Sequence, residues 1–246
     1  TEKLEGRIEI SDLSFAYPGL SEYALKDINI KLEKGQILGV IGRTGSGKTT
    51  LVNLLLKLYN VEPGKIKIDN RDINEYSLEG LRENIGYVPQ DNFLFSASIN
   101  DNIRYFNDQY SDEDIEDASK ISMIYDNIME FPDKFNTQIG ERGVNLSGGQ
   151  KQRISIARAI IKHPAIYILD DALSAVDTQT EEAIIKNLKK VMKGHTGIII
   201  AHRISALKHA DEIVVLDHGR IVERGTHEEL IRQDGLYREL YNEQYE

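Results

Sequence analysis

Cysteine is absent from this 246-residue chain, so no disulfide framework holds it, which fits a reducing compartment. An excess of basic residues is also missing: 30 Lys and Arg stand against 40 Asp and Glu, for a formal net charge of -10. Surfaces that bind phosphate backbones carry positive charge, so this balance argues against a nucleic-acid partner. No apolar run approaches the roughly 20 residues that cross a bilayer, and no signal peptide is legible. Sustained heptads, internal repeats and low-complexity tracts are lacking too. The first residue is Thr1 rather than Met, from which we expect a piece of something longer. What these absences leave is a soluble globular chain, sized for one large α/β domain or two closely joined lobes.

What is there begins with Gly42-Arg43-Thr44-Gly45-Ser46-Gly47-Lys48-Thr49-Thr50, a G-x-x-x-x-G-K-S/T phosphate loop. The apolar run Ile37-Leu38-Gly39-Val40-Ile41 reads as a buried strand delivering the chain into it. Leu51-Val52-Asn53-Leu54-Leu55-Leu56 reads as the helix that follows. Glycines at 42, 45 and 47 let successive N–H groups converge on one phosphate. The helix start adds its dipole, Lys48 a point charge, and the Thr49 hydroxyl a ligand for Mg²⁺.

Elsewhere the texture changes twice. Ile8-Glu9-Ile10, Ile28-Asn29-Ile30-Lys31-Leu32 and Lys65-Ile66-Lys67-Ile68-Asp69 alternate, which predicts an antiparallel sheet against the nucleotide core. Ser77 caps a short helix, and Ile85-Gly86-Tyr87-Val88 is a strand. Residues 90–160 read as a helical insertion, with Ser111 capping an acidic first turn. Within it Ile121, Ile124, Tyr125, Ile128 and Met129 fall on one apolar helix face. Strand and helix then alternate again through Ala165-Ile166-Tyr167-Ile168-Leu169 and Ile198-Ile199-Ile200-Ala201, followed by a hairpin around Asp217-His218-Gly219-Arg220. Thr226 opens a C-terminal helix with a capping box. The expected fold is therefore an α/β phosphate-loop nucleoside triphosphatase (P-loop NTPase) with a mostly parallel sheet. Residues 1–89 and 161–246 form its core and antiparallel β subdomain, and residues 90–160 its helical subdomain.

Three further places carry chemistry. Asp170 ends an all-apolar strand, expected beside the phosphate-loop strand, where its carboxylate can hold Mg²⁺ through water. Leu146-Ser147-Gly148-Gly149-Gln150 precedes a long helix and forms a second anion site. One nucleotide needs one such site, so a second suggests the γ-phosphate of a nucleotide held by another molecule. Of six histidines, His202 alone directly follows an apolar strand; His163, His195, His209, His218 and His227 lie in polar stretches and are expected to be solvated.

Over essentially its whole length the chain resembles the nucleotide-binding domain of an ATP-binding-cassette (ABC) transporter. Phe15-Ala16-Tyr17 matches the family's aromatic loop, which implies that Tyr17 stacks on adenine. Gln90 matches the Q-loop glutamine, which touches Mg²⁺ and the membrane-domain interface. Ser174-Ala175-Val176-Asp177 matches the D-loop, residues 146–150 the signature, and His202 the switch histidine at the γ-phosphate. Thr137-Gln138-Ile139-Gly140-Glu141-Arg142-Gly143 is similar to the X-loop of exporters, and Leu94-Phe95-Ser96-Ala97-Ser98-Ile99 with Asn102-Ile103 resembles exporter cassettes. The resemblance implies an ATPase with ATP and Mg²⁺ at the cytoplasmic face of a membrane. It also implies a second cassette, and a transmembrane domain, ahead of the cassette in the same protein, docked near Gln90.

One position departs from the pattern. Active cassettes carry Glu after the strand-terminal Asp; this chain has Asp171. The shorter side chain leaves the carboxylate about 1–1.5 Å short if the backbone stays put. A general base must reach about 2.6–3.2 Å from its proton, and a misplacement near 1 Å costs on the order of a hundredfold. The substitution resembles that in heterodimeric exporters with one slow site, so the expected partner is a different subunit. The alternatives are a separate importer-type cassette, or a regulatory or non-transport module with little turnover.

Overall fold

In the computed structural model, which describes residues 2–246, apolar alternation produces the first sheet. Strands β1 (Ile8–Phe15) and β2 (Leu25–Leu32) pair antiparallel, with Ile10 opposite Ile30. The chain leaves this sheet through β3 (Ile37–Gly42) and helix α1 (Lys48–Leu55), then returns as β4 (Ile66–Ile68) and β5 (Arg71–Asp72). The resulting order is β2-β1-β4-β5.

The second sheet has β3 near its middle. Helix α2 (Leu78–Glu83) leads into β6 (Ile85–Val88), and β7 (Ile166–Asp170), β8 (Thr196–Ile200), β9 (Glu212–Asp217) and β10 (Arg220–Gly225) complete it. The order is β10-β9-β3-β8-β7-β6, parallel except for the β9–β10 hairpin at one edge. Every residue of β3 is buried, as expected of a strand covered on both faces. Ile37 and Ile41 enter one apolar core, and Leu38 and Val40 the other. The register sets Val40 and Asp170 on either side of Ile200, so the phosphate loop, Asp170 and His202 leave the sheet at one edge.

That order corrects one expectation: the strand of Asp170 does not neighbour the phosphate-loop strand. Strand β8, buried along its whole length, lies between them and carries the chain to His202. Strands β7 and β8 are both apolar and buried, so their order is set by packing across the sheet rather than by their own composition.

Helices α3 (Ile99–Arg104), α4 (Asp112–Ile121), α5 (Tyr125–Glu130) and α6 (Gly148–Ile160) occupy the stretch between β6 and β7. The apolar face expected over 121–129 is split between α4 and α5, because Met123 turns the chain with φ 64°. Ile121, Ile124 and Ile128 are nonetheless buried together. Helix α7 (Thr178–Val191) precedes β8, and α8 (His227–Arg232) and α9 (Leu236–Tyr245) close the chain. The C-terminal helix expected after Thr226 is thus two, and Glu229 accepts from the Thr226 hydroxyl instead of closing the box on its N–H. Two histidines expected in solvent are partly buried: His195 meets the Pro164 carbonyl, and His227 Nδ1 lies 2.7 Å from Tyr237 Oη. Among the described residues no helix is long and apolar enough to cross a membrane.

Candidate functional site

The loop from β3 wraps the start of α1, and its geometry requires glycine. Gly47 has φ 113°, a left-handed conformation that side chains resist. A Cβ there would lie 2.8 Å from Leu25 Cδ2 and 2.9 Å from the Ala24 carbonyl. No side chain caps α1, which leaves its first amides to a ligand. Lys48 is 7% exposed, and its amine folds back to donate to the Gly42 carbonyl. Burial pushes its pKa below the usual lysine range, opposed by the charges of Asp171 and Asp170. An anion placed here would satisfy both the amides and the amine.

Opposite the loop stand the ends of β7 and β8. Burial, then the neighbouring charge of Asp171, raises the Asp170 carboxyl above its ordinary range, opposed by Lys48 and His202. Asp171 follows with φ 50° and is 8% exposed. Its Oδ1 accepts from the His202 N–H at 3.1 Å, and its Oδ2 lies 3.1 Å from His202 Nε2. Both carboxylate oxygens are therefore turned onto the switch loop.

These groups share one cavity of about 710 Å³, walled by residues 44–50, Tyr17, Gln90, Asp170, Asp171 and His202. That is ample for a nucleotide-sized ligand. Tyr17 Oη lies 2.7 Å from Thr50 Oγ1 and accepts from Asn53 Nδ2 at 3.3 Å, while its ring meets Tyr59 edge-on at 5.0 Å. The aromatic ring is thus fixed on the cavity wall. Two adjacent carboxylates at the mouth of the loop, Asp170 among them with its ionisation disfavoured by burial, suit a divalent cation. Among the described residues no cluster of three or more His, Asp or Glu could hold one unaided. Mg²⁺ needs no such cage, since it binds one or two carboxylates beside substrate phosphates and water. Thr49, Gln90 and Asp170 line the cavity and could contribute to that set.

Several expected residues are placed elsewhere. Arg43 turns away from the cavity, with Nη2 3.3 Å from Glu239 and 3.0 Å from Glu243 on α9. The signature residues 146–150 and Asp177 do not line the cavity at all. Instead Ser147 and Gln150 close a capping box at the start of α6: the Gln150 N–H donates to Ser147 Oγ at 3.2 Å, and the Ser147 N–H to Gln150 Oε1 at 2.9 Å. Leu146 is buried beneath them, and Gly148 lies against the Ala175 side chain. A Cβ on Gly149 would lie 2.8 Å from the Ala175 carbonyl, so this glycine lets the D-loop pack onto the helix start. Asp177 caps α7, accepting from the Thr180 N–H at 2.9 Å.

Sequence reasoning missed Gln152. Buried in α6, it donates to Ser174 Oγ at 2.9 Å and accepts from the Ala175 N–H at 2.8 Å, which locks signature and D-loop together. The available signal was a polar residue on the helix face that buries Ser155, Ile156 and Ala159. An exposed aromatic cluster that begins three residues after Gln90 in sequence was also missed. Phe95 packs against Phe93, Tyr105 and Phe106 at 4.9–5.5 Å, under the guanidinium of Arg158.

Comparison with known proteins places this architecture. The sequence model of the family described as ABC transporter matches residues 25–174. The chain belongs to the ABC transporter family. It is 50% identical over 244 residues to an uncharacterised ABC transporter ATP-binding protein of Bacillus subtilis, covering 99% of this chain and 42% of that one. An ATP-binding/permease protein of Staphylococcus aureus, named for multidrug export, is 45% identical over 238 residues, covering 97% and 41%. Among solved structures, a bacterial Atm1-family ABC exporter with ATP bound superposes with a TM-score of 0.91 at 38% identity, over 98% of this chain and 42% of that one. The chain therefore spans about two-fifths of the length of these relatives. It is an ABC ATP-binding domain homologous to exporter-type proteins, and the α/β cassette fold expected from the sequence is borne out.

Proposed function

We propose that this ABC domain binds Mg-ATP in the cavity at the start of α1, pairs face to face with a second cassette, and helps power export across a membrane at its cytoplasmic face. The observation that carries the pairing is the separation of the two helix starts. The cavity holds the phosphate loop, Asp170 and His202, but residues 146–150 lie outside it. A signature that meets no nucleotide of its own chain is available to the nucleotide of another. The partner is a different subunit, on the strength of Asp171.

In this reading the loop amides and Lys48 hold the phosphates, and the amine exchanges the Gly42 carbonyl for a phosphate oxygen. Tyr17 supports the base, and Asp170, Thr49 and Gln90 would hold Mg²⁺, which would supply charge neutralisation at the phosphate oxygens. His202 faces the γ-phosphate. Attack by water requires a carboxylate that can accept its proton, and Asp171 has both oxygens committed to His202. Hydrolysis at this site is therefore slow, and the signature serves a competent site on the partner. The exposed aromatic cluster around Phe95, with Phe93 66% and Tyr105 60% exposed, supports docking of a transmembrane domain near Gln90. The same engagement of Asp171 supports a second reading, an ATP-binding regulatory module with little turnover.

Replacing Asp171 with Glu in the assembled pair tests the proposal. We expect ATP turnover at this site to rise about tenfold or more, as the longer side chain reaches past His202. No gain, together with fast hydrolysis by a wild-type homodimer, overturns the slow-site reading. No turnover from any pairing favours the regulatory module.

A further inference from the structure

The switch histidine is held from one side, where Asp171 takes its N–H and faces its ring. Its side chain is 53% exposed. On the inner side, its loop faces a cavity of about 80 Å³ lined by apolar residues such as Leu169, Leu173 and Ile199 together with Asp171, Glu181 and Arg203, so packing is incomplete there. Two residues on, Ile204 is buried in the core and anchors the chain. Between these two residues reaches a side chain from the end of the molecule. Gln244 on α9 donates from Nε2 to the His202 carbonyl at 2.6 Å and accepts at Oε1 from the Ile204 N–H at 2.8 Å. One amide thus spans the backbone from 202 to 204 and uses both its donor and its acceptor. Helix α9 is itself tied to the phosphate loop, through Glu239 and Glu243 to Arg43. Buried Leu240 and Tyr237 seat it on the core.

We propose that Gln244 is a positioning residue for His202, setting its carbonyl, and through it the ring, at the height where the γ-phosphate is met. The role rests on the proposed binding of ATP in the cavity. Asp171 fixes the N–H and ring of His202 from the sheet side, and Gln244 fixes the carbonyl from the helix side. Loss of either contact lets the peptide after His202 rotate. Because the γ-phosphate is the part of ATP that ADP lacks, the effect falls on ATP and spares ADP.

The test compares the affinities of this chain for Mg-ATP and Mg-ADP by calorimetry. Gln244→Ala is expected to weaken ATP about fivefold, as for one lost hydrogen bond, and to leave ADP within about twofold. Gln244→Glu, which keeps the acceptor for Ile204 but sets a carboxylate against the His202 carbonyl, should lose at least as much. In a His202→Ala background, Gln244→Ala should add nothing, since the two act through one contact. Equal losses for ATP and ADP, no loss for either, or additive losses in the double variant overturn the inference. A wild-type chain that binds no ATP sinks the functional reading itself. A wild type that binds ATP, with an ATP-to-ADP ratio that Gln244→Ala does not move, sinks only the role of Gln244.

Discussion

Helix α1 begins just after Gly47 and α6 begins on Gly148 and Gly149, and their first turns are satisfied in different ways. At α1 no side chain caps the helix, a buried lysine waits beside it, and a cavity of about 710 Å³ opens in front. At α6 the reciprocal bonds of Ser147 and Gln150 already use one amide in the first turn. Its glycines pack against the D-loop, and it lies outside the cavity that holds the phosphate loop. The first is a complete anion site that supplies its own cation. The second supplies a helix end and little else, which is why we propose that its ligand arrives held by another surface. Composition alone does not distinguish the two; what each glycine packs against does.

The largest expected effect separates the two starts by charge. Lys48→Ala should weaken Mg-ATP binding to this chain about a hundredfold, because charge-assisted bonds to phosphate contribute about 1.5–3 kcal/mol each. A loss below fivefold by calorimetry would remove the loop from the binding site. Next, Gly149→Ala should lower turnover of the assembled pair about thirtyfold by pushing α6 off the Ala175 carbonyl. Binding of ATP to this chain's own loop should stay within about twofold, which also reports that the variant folds. If both quantities fall together, the two helix starts are not independent.

Smaller effects test how α6 and the C-terminal helices are held. Ser147→Ala removes a cap worth about 1 kcal/mol, which should lower the Tm by about 2–4 °C. Lys48→Ala should lower it less, since burial already works against the charged amine. The weakest expectation concerns His227, whose ring meets Tyr237 Oη and whose pKa is lowered, first by burial and then by Lys208 and His209 against the charge of Glu228. A histidine held below its unfolded value stabilises the fold at higher pH. That contribution is lost as pH falls from the ordinary histidine range through the folded value. His227→Gln should flatten the fall in Tm on mild acidification by about 1 °C. An identical pH profile would show that the contact carries no linkage.

Much of this was legible in the sequence because the decisive signals are local. Ile37 to Ile41 announce a strand buried on both faces, and the glycines after it announce the loop. Asp170 and His202 stand out as polar residues ending apolar strands. Strand order was not legible: β7 and β8 are both short and apolar, and their exchange of places beside β3 depends on packing across the sheet. The break between α4 and α5 was hidden because Ile121, Ile124 and Ile128 keep a helical spacing across a turn at Met123. Arg43 sits inside the loop motif, yet its side chain is drawn off by Glu239 and Glu243, 196 and 200 residues away. Gln152 and Gln244 act through contacts 23 and 42 residues distant, and only Gln152 leaves a local trace, as a polar residue on a buried helix face.

The central claim is that this chain holds ATP at α1 and promotes hydrolysis from α6, on its partner's nucleotide. The most direct test is the turnover of the assembled pair with each start damaged in this chain alone. The account predicts that Gly149→Ala costs about ten times more turnover than Lys48→Ala, since the first disables the competent site and the second empties the slow one. Equal losses, or a greater loss from Lys48→Ala, would place fast hydrolysis at this chain's own phosphate loop and contradict it.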